Sequence, residues 1–209
     1  MNPIEELTNL FIKFPGIGRR QAKRFAYFII QSNPSFSNRL ANQIMGAQRN
    51  IKLDPISFQY FYSEDPNEHH APITRDETRD TTLLMIVEKD IDIDAIEKSL
   101  AFHGHYFVLG GLAPMIDTDL EQSVRIRELL KLIETKSQEH DFKKLSEIIF
   151  ALSANPEGDR TADLVRQKIE PLREKYGFKV SQLGRGFSTG TEVEYSDADT
   201  LASALANRR

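Results

Sequence analysis

The feature that most constrains the fold is an alternation of short apolar runs with helical patterns, which begins near Thr81. The apolar runs are rich in β-branched and aromatic residues, which favour β-strands. These runs are residues 83–87, 106–109, 148–152 and 179–183. Pro171 interrupts the last of three amphipathic patterns, which predict helices at residues 94–102, 124–134 and 161–175. Strands that alternate with helices form a mostly parallel sheet, so the sequence predicts an α/β fold.

The amino-terminal part of the chain has apolar residues at helical spacing on both sides of a short Pro-Gly turn. This pattern predicts a helix, a hairpin and a second helix within residues 1–52. A helix start exposes unpaired N–H groups and the positive end of the helix dipole, and glycines let a phosphate approach them. The residues predicted to contact DNA are Gly16, Ile17, Gly18, Arg19, Arg20, Lys23 and Arg24.

The distribution of charge supports a polyanionic partner for this end of the chain. Residues 1–52 contain 8 Lys and Arg residues and 2 acidic residues, whereas the whole chain has a net charge of −4. Backbone amides do not read bases, so such a hairpin would bind DNA without regard to its sequence. The alternative is a turn between two packed helices whose basic face is simply solvated.

The composition excludes several classes of site. The chain has 209 residues and no cysteine, which excludes disulfides, thiolate zinc sites and thiol nucleophiles. Its apolar runs are far shorter than the roughly 20 residues that span a bilayer. Glu5 and Glu6 lie where a signal peptide would carry positive charge. We therefore expect a cytoplasmic protein with no membrane contact.

Acidic residues follow two of the predicted strands, at the edge where sites in parallel sheets gather. Glu88 follows the strand at residues 83–87, and Glu157 and Asp159 follow the strand at residues 148–152. Carboxylates that converge there can hold Mg²⁺ for phosphoryl transfer. The neutral amide of Asn155 weakens such a site, because divalent cation binding depends on ligand charge. The alternative to a metal ligand is that Glu88 is a strand-end carboxylate that is solvated or that accepts a hydrogen bond from a nearby helix start.

Taken in order along the chain, these pieces resemble the bacterial RecR recombination mediators from nearly one end to the other. The matching segments are residues 10–30, 83–88, 108–111, 155–162 and 185–201. The resemblance implies a helix-hairpin-helix domain that binds DNA, a small zinc ribbon, a Toprim domain and a C-terminal extension. It also implies a ring-like homo-dimer or homo-tetramer without catalytic activity, which helps RecO-like and RecF-like proteins load recombinase onto single-stranded DNA during repair.

The chain departs from the family pattern in its zinc ribbon. Ser57, Tyr60, Ala71 and Thr74 stand where the family has four cysteines, and none of them ligates zinc as a thiolate. We therefore predict a degenerate zinc-ribbon-like segment at residues 53–80 that contains no metal and is held together by its aromatic side chains.

A second departure concerns the acidic segment after Pro156, which is shorter than the family pattern by about two residues, within ordinary loop-length variation. Aligned with a gap, Glu157 and Asp159 match acidic residues implicated in partner contact, a role that we also assign to Glu88. Aligned without a gap, Glu157 takes the position of a second metal-binding carboxylate. Both alignments stay open at this stage.

Three functions follow from these patterns. The first is a non-enzymatic, nucleoid-associated DNA clamp and recombination mediator that needs no cofactor. The second is a Mg²⁺-dependent Toprim nuclease or nucleotidyl transferase that uses Glu88, Glu157 and Asp159. The third is a protein-interaction module that has lost DNA binding together with its zinc. The predicted domains are residues 1–52 (helix-hairpin-helix), 53–80 (degenerate ribbon), 81–184 (Toprim) and 185–209 (C-terminal extension).

Overall fold

The computed structural model describes residues 2–114, 124–138 and 144–184 of the chain, together with Leu201. The chain divides into two compact units, which span residues 1–51 and 52–209. None of the described helices is both long and apolar enough to cross a membrane. The predicted C-terminal extension, residues 185–209, lies outside the described residues except for Leu201.

The first unit is helical, and two of its helices begin with an asparagine cap followed by proline. Its helices are α1 (Pro3–Ile12), α2 (Arg19–Gln31) and α3 (Pro34–Asn50). The Asn2 side chain accepts a hydrogen bond from the Ile4 N–H at 3.0 Å, and the Asn33 side chain accepts one from the Ser35 N–H at 2.9 Å. Each bond satisfies a donor that a helix start leaves unpaired, and proline fits the first helical position.

The second unit combines a small module with a parallel sheet. The module contains the paired strands β1 (Ile51–Leu53) and β2 (Tyr60–Tyr62) and the short helix α4 (Pro72–Arg75). The remaining strands are β3 (Asp80–Val87), β4 (Gly104–Val108), β5 (Glu147–Ala151) and β6 (Lys179–Gln182). The remaining described helices are α5 (Asp90–Ser99), α6 (Ile126–Gln138) and α7 (Pro156–Tyr176).

These four longer strands form one sheet in the order β4-β3-β5-β6, and all of their pairings are parallel. Both faces of the sheet are buried. Leu84 and Ile86 of β3 pack in a cluster with residues of α6 and α7, whereas Met85 packs with Ile93 of α5 in a second cluster. This parallel order with two-sided burial confirms the predicted α/β fold.

The predicted strands and helices of this unit are present, but their ends differ from the prediction. α5 begins at Asp90 rather than at residue 94, because acidic residues in its first turn complement the positive end of the helix. The prediction that Pro171 interrupts the last helix is wrong, since α7 runs through it. Buried Ile169 before the proline and Leu172 after it pack against the same cluster, which keeps the helix continuous.

A fully buried carboxylate, Asp54, joins two loops of the small module. Its Oδ1 accepts hydrogen bonds from the N–H groups of Ile56 at 2.7 Å and Ser57 at 2.9 Å. Its Oδ2 accepts a hydrogen bond from the Ala71 N–H at 2.6 Å. Hydrogen bonds to an ionised acceptor are stronger than those between neutral groups. Asp54 therefore ties the loop after β1 to the start of α4.

The four positions at which the sequence resemblance predicts cysteines, Ser57, Tyr60, Ala71 and Thr74, have side chains that do not fit zinc. Thr74 Oγ1 donates a hydrogen bond to Ser57 Oγ at 3.2 Å, so these two hydroxyls bond to each other. Ala71 has no ligating atom, and the Tyr60 side chain is exposed. Structural zinc sites use thiolates and imidazoles, which this set lacks. The module therefore depends on direct protein contacts at these positions.

The aromatic residues of the module do not form one cluster, contrary to the prediction. Tyr60 and Tyr62 are exposed, and only Phe61 among the three residues of β2 is buried. Phe58 instead contacts Phe107 of β4, with 5.5 Å between the ring centroids. Aromatic contacts of the module therefore attach it to the sheet, while the bonds of Asp54 close its own loops.

Candidate nucleic-acid interface

The chain between α1 and α2 forms a tight turn that depends on a proline and a glycine. The Ile17 N–H donates a hydrogen bond to the Phe14 carbonyl at 3.1 Å, which closes a turn over Pro15 and Gly16. Gly16 has a φ of 73°. A turn with proline second and a left-handed residue third is of type II, and glycine adopts that conformation without strain. The structure thus contains a hairpin between two helices.

The surface beside this turn is open. α2 begins at Arg19, and the residue before it, Gly18, has an extended backbone and offers no side-chain cap. A Cβ atom added to Gly16 or Gly18 would have no atom within 4 Å. Unbonded N–H groups at the positive end of a helix are a ready anion site, and here no side chain covers them. A phosphate group can therefore reach the start of α2.

Four cations lie in the first two turns of α2, and all of them are exposed: Arg19, Arg20, Lys23 and Arg24. Among the described residues, none of the four forms an ion pair with an acidic side chain; Arg24 contacts the neutral Gln21 Oε1 at 3.4 Å. Like charges four positions apart on a helix destabilise it by about 0.2–0.5 kcal/mol per pair. A polyanion bound along this face would remove that repulsion.

The buried face of α2 holds the helix against α1. Ala22 and Ala26 are fully buried, and their small side chains allow the two helices to approach closely. The Phe25 ring meets the edge of the Phe11 ring, with 5.7 Å between centroids. Phe11 also contacts Phe14 of the turn at 5.8 Å. The turn and the cations are therefore carried by a packed pair of helices.

A second polar cluster lies in the second unit, at the carboxyl ends of β3 and β5. Glu88 is only 6% exposed. Its carboxylate accepts a hydrogen bond from the Ser153 hydroxyl at 2.5 Å and pairs with the Lys89 ammonium at 2.5 Å. Burial disfavours the ionised form of Glu88, but the bonds from Lys89 and Ser153 outweigh it and hold the pKa below its usual value. Glu88 is therefore ionised and internally paired.

The acidic segment after β5 serves as the start of α7. Asn155 Oδ1 accepts a hydrogen bond from the Gly158 N–H at 2.7 Å, so this amide is the helix cap. Glu157 and Asp159 lie in the first helical turn, where negative charge complements the helix dipole. Glu157 is exposed and Asp159 is half-buried. Within the described ranges, no three acidic or histidine side chains are grouped so as to hold a metal ion.

The sequence prediction missed two residues of this cluster, Ser153 and Lys89. The strand register aligns Val87 with Ala151, so the residues that follow β3 and β5 lie side by side. The sequence offered two signals for these contacts: a hydroxyl two positions past the end of β5 and a lysine directly after Glu88. Both residues are of common surface types, so their pattern alone did not distinguish them from solvated side chains.

Comparison with known proteins assigns both units. A family model described as "RecR, helix-hairpin-helix" matches residues 4–48, and one described as "Toprim domain" matches residues 82–184. "Recombination protein RecR" of Acidothermus cellulolyticus is 35% identical, over 99% of this chain and 96% of that protein. The protein of the same name from Anaeromyxobacter is 33% identical, over 100% and 97% of the two chains, respectively. The one from Lacticaseibacillus casei is 31% identical, over 99% and 96%.

Proposed function

The chain belongs to the family of RecR recombination proteins, and we propose that it is a recombination mediator that binds DNA through the hairpin between α1 and α2. The family confirms the resemblance seen in the sequence and the role in recombinational DNA repair. In our proposal the protein forms a clamp on DNA without catalysing a reaction, and it helps to load recombinase onto single-stranded DNA.

The observation that carries this proposal is the combination of an open helix start with exposed, unpaired cations. The amides after Gly18 suit one phosphate, and the side chains of Arg19, Arg20, Lys23 and Arg24 suit its neighbours along the backbone. Such contacts position the protein and carry no base information, so binding is independent of sequence. Counterion release from the phosphates makes it strongly dependent on salt.

Reversal of two of these charges tests the proposal. The Lys23→Glu, Arg24→Glu double variant should lose at least about tenfold in DNA affinity at low salt, because two phosphate contacts become repulsions. Fluorescence anisotropy with labelled single-stranded and double-stranded oligonucleotides measures the affinity. Circular dichroism checks that the helices persist, as expected for two exposed positions.

The matched control is Lys98→Glu with Lys168→Glu, two exposed lysines of the second unit, on α5 and α7. This variant changes the net charge by the same amount and should retain wild-type affinity. Equal loss in both variants would mean that overall charge, rather than the hairpin, governs binding. Wild-type affinity in the hairpin variant would contradict the proposal, and no binding by the wild type at low salt would favour the pure protein-interaction module.

We also propose that the chain acts as a homo-dimer or homo-tetramer, because its first unit leaves much apolar surface exposed. No residue of α3 is buried, and among the residues of this unit that the structure describes, 2–51, the only fully buried apolar ones are Ala22 and Ala26. The large apolar side chains exposed there are Leu10, Ile12, Phe14, Tyr27, Phe28, Ile30, Leu40, Ile44, Met45 and Ile51. Exposed apolar surface of this extent marks an interaction site.

An assembly would also strengthen DNA binding, because several hairpins on one DNA molecule raise the effective concentration of each contact. Sedimentation velocity or mass photometry should show a dimer or tetramer of the 23.9 kDa chain. Ile44→Glu, in the exposed face of α3, should shift the protein toward the monomer. A wild-type protein that is monomeric at micromolar concentration would contradict this part of the proposal.

RecO-like and RecF-like mediator proteins are the partners proposed here, and the acidic residues of the second unit are their candidate contacts. Glu157 is exposed and Asp159 is half-buried, so both present surface to a partner. Glu88 is 6% exposed, so it suits a supporting role behind its neighbours rather than a direct contact. Glu157→Lys should weaken capture of a purified RecO-type protein while DNA binding by the hairpin persists.

The alternative function is a Mg²⁺-dependent nuclease or nucleotidyl transferase that uses Glu88, Glu157 and Asp159. The pairing of Glu88 with Lys89 disfavours it, because that carboxylate is already neutralised. Incubation with labelled DNA and Mg²⁺ or Mn²⁺ should leave the DNA intact. Cleavage that is lost in Glu88→Gln would establish the alternative. We propose that the protein acts beside the chromosome in the bacterial cytoplasm, because both functions require DNA.

A further inference from the structure

The Toprim fold of this family implies a magnesium site at the carboxyl ends of β3 and β5, which in related enzymes is built from carboxylates. Magnesium needs oxygen ligands with enough negative charge to replace part of its hydration shell. The leading ligand here would be Glu88. Whether this edge fits a metal depends on what its oxygens already bind.

The carboxylate and amide oxygens that could ligate a metal at this edge are already engaged within the protein. The Glu88 carboxylate contacts the Ser153 hydroxyl and the Lys89 ammonium, each at 2.5 Å. The Asn155 amide oxygen accepts the Gly158 N–H at 2.7 Å, which fixes it as the cap of α7. A cation that displaced these groups would break an ion pair and a helix cap.

The charges of these groups also oppose a divalent cation. The Glu88 carboxylate and the Lys89 ammonium cancel, and the Ser153 hydroxyl and the Asn155 amide are neutral, so these four side chains together have no net charge. Affinity for Mg²⁺ or Ca²⁺ rises with the number of charged oxygen ligands, so a neutral cluster has little. A metal ion at Glu88 would in addition lie beside the Lys89 ammonium and be repelled by it.

The backbone of Lys89 is held in place, although its side chain is 63% exposed. Its N–H donates a hydrogen bond to Asp92 Oδ2 at 2.8 Å, which anchors Lys89 at the start of α5. Its ammonium reaches back to Glu88, and the pairing raises the pKa of Lys89 above its usual value. A nearly buried carboxylate needs such a partner, because an unpaired buried charge is strongly destabilising.

We infer that Lys89 is a built-in cation that takes the place of the metal ion at the Toprim edge, so that Glu88 is held without magnesium and the site is closed to divalent cations. This inference does not depend on DNA binding by the hairpin, because it concerns ion binding in the other unit. It assigns Glu88 a structural role, with Ser153 and Lys89 as its positioning residues.

The test is to remove the ammonium and ask whether a metal site opens. Electron paramagnetic resonance measures the concentration of free Mn²⁺, which falls when the protein binds the ion. The wild-type protein should cause no fall above background. Binding should appear in Lys89→Ala, Asn155→Asp, which removes the ammonium and supplies a second carboxylate, with at least about tenfold higher affinity. Adding Glu88→Gln to that variant should abolish the new binding.

Lys98→Ala combined with Asn155→Asp is the matched control, since it removes an exposed lysine of α5 that lies away from Glu88. This control should bind no more Mn²⁺ than the wild type. Two results would overturn the inference: wild-type binding of Mn²⁺ that Glu88→Gln removes, or no gain of binding in the Lys89→Ala, Asn155→Asp variant. Circular dichroism confirms that each variant is folded, so that a failure to bind is informative.

Discussion

The substitution Asp54→Asn tests how the small module is held together in a chain that has no cysteine. The change keeps the size of the side chain and one acceptor oxygen, which can still bond the N–H groups of Ile56 and Ser57. The amide NH₂ group would then face the Ala71 N–H, which the carboxylate now accepts at 2.6 Å. One charge-assisted bond is therefore lost, and two others lose their charge.

The magnitude follows from these three bonds. A buried donor left without its acceptor costs about 1–3 kcal/mol, and the two remaining bonds weaken to ordinary strength. We expect the free energy of unfolding to fall by about 2–4 kcal/mol. Urea denaturation of the full chain, followed by circular dichroism, should show the unfolding midpoint of the second unit lowered by about 1–2 M. This shift assumes a dependence of the free energy of unfolding on urea that is ordinary for a domain of this size.

Asp65→Asn is the matched control. Asp65 lies in the same module and also accepts a backbone hydrogen bond, from the Asn67 N–H at 2.9 Å, but this bond is exposed to solvent. The control should change stability by no more than about 0.5 kcal/mol. Hydrogen exchange should show lost protection at the Ala71 amide only in Asp54→Asn. A stability for Asp54→Asn equal to that of the control would refute the reasoning.

Three further predictions follow from single contacts. Gly158→Ala should destabilise the protein by more than about 2 kcal/mol in thermal or chemical denaturation, because a Cβ there would lie 1.9 Å from the Ser153 carbonyl oxygen. Gly46→Ala, in open space on α3, should not. Gly16→Ala, at a φ of 73°, should cost about 1 kcal/mol and weaken DNA binding without changing its salt dependence. Hydrogen bonds from Arg79 hold the pKa of Glu97 below its usual 4.5. This pair therefore stabilises the folded protein above pH 4.5, and its contribution to the free energy of unfolding should be lost as Glu97 becomes protonated at lower pH. The Glu97→Gln variant should show a shallower loss over the same range, and an unchanged slope would contradict the role of this pair.

The sequence predicted the parts of the fold that depend on periodicity. The strand runs around residues 83–87 and 148–152 and the hairpin at Gly16 were visible because burial on both faces and a left-handed turn leave plain residue patterns. The path of α7 through Pro171 was not, because local propensity disfavours it and tertiary packing of Ile169 overrides that preference.

The internal contacts of polar residues were the hardest to predict. Asp54 looks like an ordinary turn residue in the sequence, and its burial depends on amides as distant along the chain as Ala71. The Glu88 carboxylate was correctly placed at a strand end, but its partner Ser153 is 65 positions away. The register of β3 and β5 brings Glu88 and Ser153 together, and no local sequence pattern records such a long-range contact.

The salt dependence of DNA affinity tests the central claim most directly, because it measures how many phosphates the protein contacts. The logarithm of the affinity, plotted against the logarithm of salt concentration, should fall by about 0.9 for each duplex phosphate contacted. For the Lys23→Glu, Arg24→Glu variant the slope should be smaller than for the wild type by about 2 for each hairpin engaged, and equal for oligonucleotides of different sequence. An unchanged slope in this variant would contradict the assignment of the hairpin as the DNA-binding site.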